Sequence, residues 1–185
     1  LDQALRTSIA AMFCSPSFLY LREDPGPLDD FALASRLSYF LARTSPDEEL
    51  LRAAEGGELR GGGQVLSNQV ERLLNDQRFE RFVLDFTDAW LDLRDIDFTA
   101  PDRVLFPEFD QFLKHSMLQE TRGFLRILFE ENLSIRNVVK SDFAFLNNRL
   151  AEHYGINGVS GPAMRPVSLD PNSPRGGFLS QGSVL

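Results

Sequence analysis

Residues 106–132, FPEFDQFLKHSMLQETRGFLRILFEEN, form the longest uninterrupted amphipathic run in the chain, and their reading decides its class. Phe109, Phe112, Leu113, Met117, Phe124, Ile127 and Leu128 recur at the spacing of one helical face, which predicts one long central helix. Pro107 suits its first turn, where a missing N–H costs no hydrogen bond, and the acids beside it suit the positive helix end. Glu120 falls on the seam that Met117 and Phe124 define. A carboxylate there must find a partner or change its proton affinity, because burying an unpaired charge is expensive. Two roles are open to it: a general acid or base, or half of a buried ion pair fastening two helices. The fastener is the favoured reading, since structural ion-pair networks perturb carboxylates as catalytic sites do.

Composition bounds the rest. A chain of 185 residues fits one domain and can bury about two thirds of its unfolded surface. Sixteen Phe and an apolar fraction of 43% supply a core and argue against disorder. Nineteen basic residues against 27 acidic ones leave a net charge of −8, which argues against a broad nucleic-acid or anionic-membrane surface. No apolar run approaches the roughly twenty residues a membrane span needs. The chain opens at Leu1 inside a helical pattern, so any signal peptide is expected upstream. Cys14 is the single cysteine, which excludes an internal disulfide and a C-x-x-C-H haem attachment; in AAMFCSP it reads as a small buried hydrophobe.

The same helical periodicity extends along most of the chain. Residues 2–14 carry Leu5, Ile9, Met12 and Phe13 on one face, until Pro16 breaks the helix. A short apolar link over 17–21 and a Pro25-Gly26-Pro27 turn follow. Asp29 or Asp30 caps the next helix, with a stripe of Leu33, Leu37, Phe40 and Leu41 bordered by Arg36. Ser45-Pro46-Asp47-Glu48 starts another helix, with Ser45 as cap, Pro46 at the first position and then acids, ending at Gly56-Gly57. Gly61-Gly62-Gly63 is a loop; with no preceding strand and no following Lys-Ser/Thr, it is not a phosphate cradle. Helices are expected over 64–75 and 79–93, the second with an aromatic core stripe of Phe79, Phe82, Phe86 and Trp90.

Opposite that stripe stand Asp85, Asp88, Asp92 and Asp95. Counted from Asp95, the sixth position of a calcium loop would be Ala100 and the twelfth Phe106, so the loop rule fails and a solvated acidic face is expected. Residues 99–106 connect to the long helix. Beyond it come a short helix over 135–139, capped by Ser134, and another over 146–154, closed by Gly155. From 156 onward the chain is rich in Gly, Pro and Ser and is expected to wander over the surface, with a short strand possible at 164–169. The fold class is all-α: an irregular multi-helix bundle around one long central helix, with a mostly irregular C-terminal tail.

Chemical motifs are sparse. His115 lies on the polar side of the long helix, and His153 sits at a helix C-terminus, which favours its cationic form. Neither stands in a zinc pattern, so no metal is expected. Gly158-Val159-Ser160-Gly161-Pro162 misses the G-x-S-x-G of a nucleophile elbow. No nucleotide fingerprint is present, and no cofactor-binding residue stands out. That leaves Glu120, for which Arg36 is the favoured partner, because a guanidinium binds a carboxylate bidentately. Removing Arg36 from a buried pair would strand the charge.

Four segments carry a resemblance: LDDFALASRLSYFLARTSPDEELL (28–51), FPEFDQFLKHSMLQET (106–121), FAFLNNRLAEHYGI (143–156) and RGGFLSQGSVL (175–185). In this order they resemble the planctomycete-specific domain of unknown function found in large exported proteins beside cytochrome-c-like modules. That family often has Trp after the YFL of the first segment, where Ala42 stands here. The resemblance implies that 1–27 is the end of a preceding segment packing onto the bundle, 28–160 the main helical domain, and 161–185 a tail leading toward a following module. It implies an exported protein, periplasmic or on the cell envelope, whose partners are other domains of the same chain and whose haem c sits on those modules. It implies no catalytic residues. Two functions follow: a non-catalytic scaffold or interaction module, or a carboxylate-based hydrolase acting on polysaccharide through residues such as Glu120 or Asp142.

Overall fold

The computed structural model describes residues 2–20, 23, 25–98 and 100–184. Leu1, the end of the apolar link at Leu21, the head of the connector at Thr99, and Leu185 lie outside the described residues. The chain is mostly helical with one small sheet, and it divides into two compact units, residues 1–76 and 77–185.

The first unit holds α1 (Asp2–Phe13), α2 (Pro16–Leu19), α3 (Asp30–Leu41), α4 (Glu48–Glu55) and α5 (Gln64–Leu74). Side chains fix the starts of two of them: Asp29 accepts from the Ala32 N–H, and Asp47 from the Leu50 N–H. Asp47 also takes both ends of the Arg72 guanidinium at 2.8 and 2.9 Å, tying the start of α4 to α5. Asp30 is buried and accepts the Leu59 and Arg60 N–H groups, so the glycine loop closes over α3. The stripe expected on α3 is rotated. Asp30, Ala34, Ser38 and Leu41 face inward, whereas Phe40 is 60% exposed. The inward face thus carries the small residues Ala34 and Ser38, and α3 packs against both α4 and α5. Helix α1 buries no residue; Leu5, Ile9, Met12, Phe13 and Cys14 are all exposed, so Cys14 is not the buried hydrophobe expected.

The second unit holds α6 (Glu80–Trp90), α7 (Gln111–Glu130), α8 (Asn148–Tyr154) and the strands β1 (Phe143–Leu146) and β2 (Arg165–Ser168). The strands pair antiparallel, Phe143 opposite Ser168 and Leu146 opposite Arg165. Helix α7 spans 20 residues and starts after Pro107, because Asp110 caps it by accepting the Leu113 N–H at 2.7 Å. Most of its seam faces inward as expected, with Leu113, Met117, Glu120, Phe124, Ile127 and Leu128 buried, whereas Phe112, expected on the same face, is 44% exposed. Gly123 is there for β1. A Cβ at that position would lie 2.2 Å from the Phe145 ring, so only glycine lets the sheet press against the helix.

The aromatic stripe of α6 splits. Phe82 is buried, as is Phe79 just before the helix, while Trp90 is nearly half exposed. The acidic face is only partly solvated, since Asp88 takes Arg122 of α7 at 2.8 Å.

The tail overturns its expectation. Residues 164–169 do contain a strand, β2, and beyond it the chain turns back onto α7 instead of wandering. Phe178 is 2% exposed and packs edge-on against Phe124 and Trp90, and Gln181 is 3% exposed. Two glycines make the close approach possible. Gly176 (φ 137°) and Gly177 (φ 85°) hold backbone conformations that L side chains rarely adopt. A Cβ would fall 2.3 Å from the Ser141 carbonyl oxygen at the first and 2.5 Å from that of Val139 at the second.

Candidate functional site

The polar centre of the second unit is built where α7, the end of α8 and the tail converge. Glu120 sits one turn from Met117 on the buried seam and is 2% exposed. Tyr154, the last residue of α8, donates its hydroxyl to Glu120 Oε2 at 2.6 Å. The same hydroxyl accepts the Gly182 N–H at 2.7 Å, so one oxygen joins helix, helix and tail. Arg175 lies over the Tyr154 ring, its guanidinium carbon 3.6 Å from the centroid, and donates through Nη1 to the Ser180 carbonyl. One residue along α7, the Thr121 hydroxyl donates to Gln181 Oε1 at 2.6 Å, and Ser183 stands 2.6 Å from it as the donor in return. A second tie joins α7 to α8. Asn147 donates to Ser116 Oγ at 2.8 Å while its own oxygen caps α8 by accepting the Leu150 N–H.

Burial dominates the electrostatics. It pushes Glu120 up to about 8, while the Tyr154 hydroxyl, the Arg175 charge and the Gly182 amide pull the other way without compensating. Glu120 is therefore a neutral carboxylic acid at pH 7. Tyr154 is raised by burial first and by Glu120 beside it. His153 also departs from expectation. Burial, then the Arg175 charge, lowers its proton affinity against the opposing pull of Glu108, the reverse of the direction the helix end alone would favour.

Arg36 and Glu120 each take a different partner from the one read in the sequence. Arg36 in the first unit donates Nε to Glu23 Oε1 at 2.7 Å and Nη2 to Glu23 Oε2, an exposed pair. Glu120 in the second unit has Tyr154 as its hydrogen-bond partner and Arg175 as the cation that acts on it. Periodicity placed Glu120 correctly on the seam of its helix but Arg36 wrongly beside a buried stripe, since Arg36 is exposed and the buried face of α3 is the one carrying Asp30, Ala34, Ser38 and Leu41. It also carries no information on which distant segment supplies a partner. Tyr154, Arg175, Thr121 and Gln181 were missed as members of the site. The signal available was Arg175-Gly176-Gly177, a cation followed by two glycines in a segment still carrying Phe178.

Residues 28–156 match the family model PSD4, described as a protein of unknown function (DUF1592). The chain belongs to this family. No curated protein and no solved structure matches it significantly. The DUF1592 match takes in Glu120 and Tyr154 and stops before Arg175, Gln181 and Gly182, so the polar centre spans matched residues and the tail beyond them.

Space around this centre limits its chemistry. The cavity lined by Glu120, Phe143, Ala144, Arg175 and the 176–181 turn measures about 10 Å³, room for roughly one water. Glu120 is the one carboxylate in that lining. Asp142, the other candidate acid, lines a separate cleft of about 370 Å³ with Glu131, Asn137 and Pro166. Glu120 and Asp142 thus open onto different spaces and do not flank one bond as a glycosidic pair must; Asp142 shares its cleft with Glu131 instead. What the arrangement does chemically is hold a neutral acid and a phenol in one hydrogen-bonded chain that fastens the tail.

Proposed function

We propose that this DUF1592 chain is a non-catalytic helical module, a scaffold or interaction piece of a larger exported protein that also carries cytochrome-c-like modules. The observation that carries the reading is the enclosure of Glu120. The one acid on the long helix's buried seam is spent on Tyr154 and the tail, in a cavity too small for a substrate. Helix α7 then serves as the spine of the second unit, with β1, α6 and α8 against it and the tail strapped across. In the first unit, the uncovered apolar face of α1 suits contact with a neighbouring domain of the same parent chain. No helix among the described residues is long and apolar enough to cross a membrane. A periplasmic or cell-envelope location, the planctomycete specificity and the haem on other modules rest on the four-segment resemblance. The absorbance spectrum of the full parent protein tests that context: a c-type haem band is expected, and its absence would remove the cytochrome association.

A second reading, a carboxylate hydrolase acting on polysaccharide, rests on the elevated proton affinity of Glu120, which suits a general acid. Turnover on a glycan panel separates the two. The scaffold reading expects none; hydrolysis abolished by Glu120→Gln in a folded protein would establish the enzyme.

A further inference from the structure

A wider cleft opens on the other side of Arg175. Tyr154, Asn157, Ser168, Asp170, Asn172 and Arg175 border about 510 Å³, enough for a small organic ligand. Arg175 is half-buried, and its Nη1 is committed to the Ser180 carbonyl while its plane covers the Tyr154 ring. Among the described residues no carboxylate lies within ion-pair distance of it, and its remaining guanidinium N–H groups have no acceptor. These free N–H groups are open to solvent and available to an anion, with which a guanidinium makes charge-assisted hydrogen bonds.

The rest of the lining narrows the ligand. Asp170 keeps one oxygen on the Asn172 N–H and is not bridged to Arg175, so its second oxygen is an acceptor open to a hydroxyl donor. The Asn157 and Asn172 amides each offer donor and acceptor together, which matches hydroxyl groups. One cation and one carboxylate in the lining disfavour a multiply charged anion such as phosphate and suit a single carboxylate on a polar body. We propose that this cleft binds a small polyhydroxylated carboxylate of the uronic-acid type, its carboxylate on Arg175 and its hydroxyls on Asp170, Asn157 and Asn172. The proposal is independent of the scaffold reading, since a binding module and an enzyme would both accommodate it.

Amide NMR titration of the full chain tests it, with D-glucuronate, D-glucose and glycine as probes. Glucuronate should give saturable shifts at Gly155, Asn157 and Asn172, with glucose at least about tenfold weaker because it lacks the charge-assisted bonds. Arg175→Gln should bring glucuronate down to the level of glucose. Because Arg175 also holds the tail, Asn157→Ala and Asn172→Ala at exposed positions provide the second arm and should weaken glucuronate with the fold intact. Glucose binding as tightly as glucuronate, glycine binding in its place, shifts that never saturate, or unchanged affinity in both asparagine variants would overturn the assignment.

Discussion

The two ends of the chain behave oppositely to their sequences. Residues 2–13 have clear helical periodicity and form α1, yet bury nothing: Leu5 is 62% exposed and Ile9 42%. Residues 175–184 have no periodicity, one 3-10 turn and three glycines, yet place Phe178 and Gln181 in the interior of the second unit. Periodicity reports which side chains share a face; it does not report whether anything covers that face. Burial in the tail is set instead by a few specific contacts: an aromatic plug, backbone room at two glycines, and hydrogen bonds to Thr121 and Tyr154.

The contrast breaks most sharply at the glycines. Gly177→Ala puts a Cβ against the Val139 backbone at a positive φ, where nothing flexible can give way. The expected loss is about 3 kcal/mol or more, read as a lower urea midpoint. Phe178→Ala should cost about 3–5 kcal/mol by emptying its place between Phe124 and Trp90. The equivalent truncation in α1, Ile9→Ala, should change stability by less than about 0.5 kcal/mol.

Glu120 adds a pH signature. Its proton is held to about 8 in the folded state against 4.5 when unfolded, so between those values the native protein keeps a proton that the unfolded chain releases. Its contribution is whole below pH 4.5 and is lost as pH rises toward 8, at roughly 1.4 kcal/mol per unit. Glu120→Gln should remove that slope, seen as the difference between the two proteins' midpoints from pH 5 to 8. Equal slopes would place Glu120 in contact with solvent. The smallest effect is expected at Arg36→Ala, whose exposed pair with Glu23 should leave the midpoint unmoved within error.

Much of the fold was legible because it is local. The caps at Asp29 and Ser134, the closure of α8 at Gly155, and most of the buried seam of α7 follow from residues within a turn or two of one another, whereas the cap of α4 falls on Asp47 and not on Ser45 ahead of Pro46. Glu120 was legible as an anomaly for the same reason. Its partners were not, since Tyr154 is 34 positions away, and Gln181 is 60 from Thr121. The buried face of α3 is not legible either: Ala34 and Ser38 are inside where α3 packs on α4 and α5, and packing neighbours are not written in the helix's own periodicity. Gly-Gly before Phe178 reads as loop composition, although glycine marks close backbone approach as readily as flexibility.

Hydrogen exchange compares the two ends directly. If the tail is strapped to α7 through Tyr154, Thr121 and Phe178, a peptide covering residues 176–184 should exchange nearly as slowly as one from the middle of α7. Residues 2–13, with no buried side chain to hold them, should exchange much faster. Tail amides exchanging as fast as those of α1 would contradict the account.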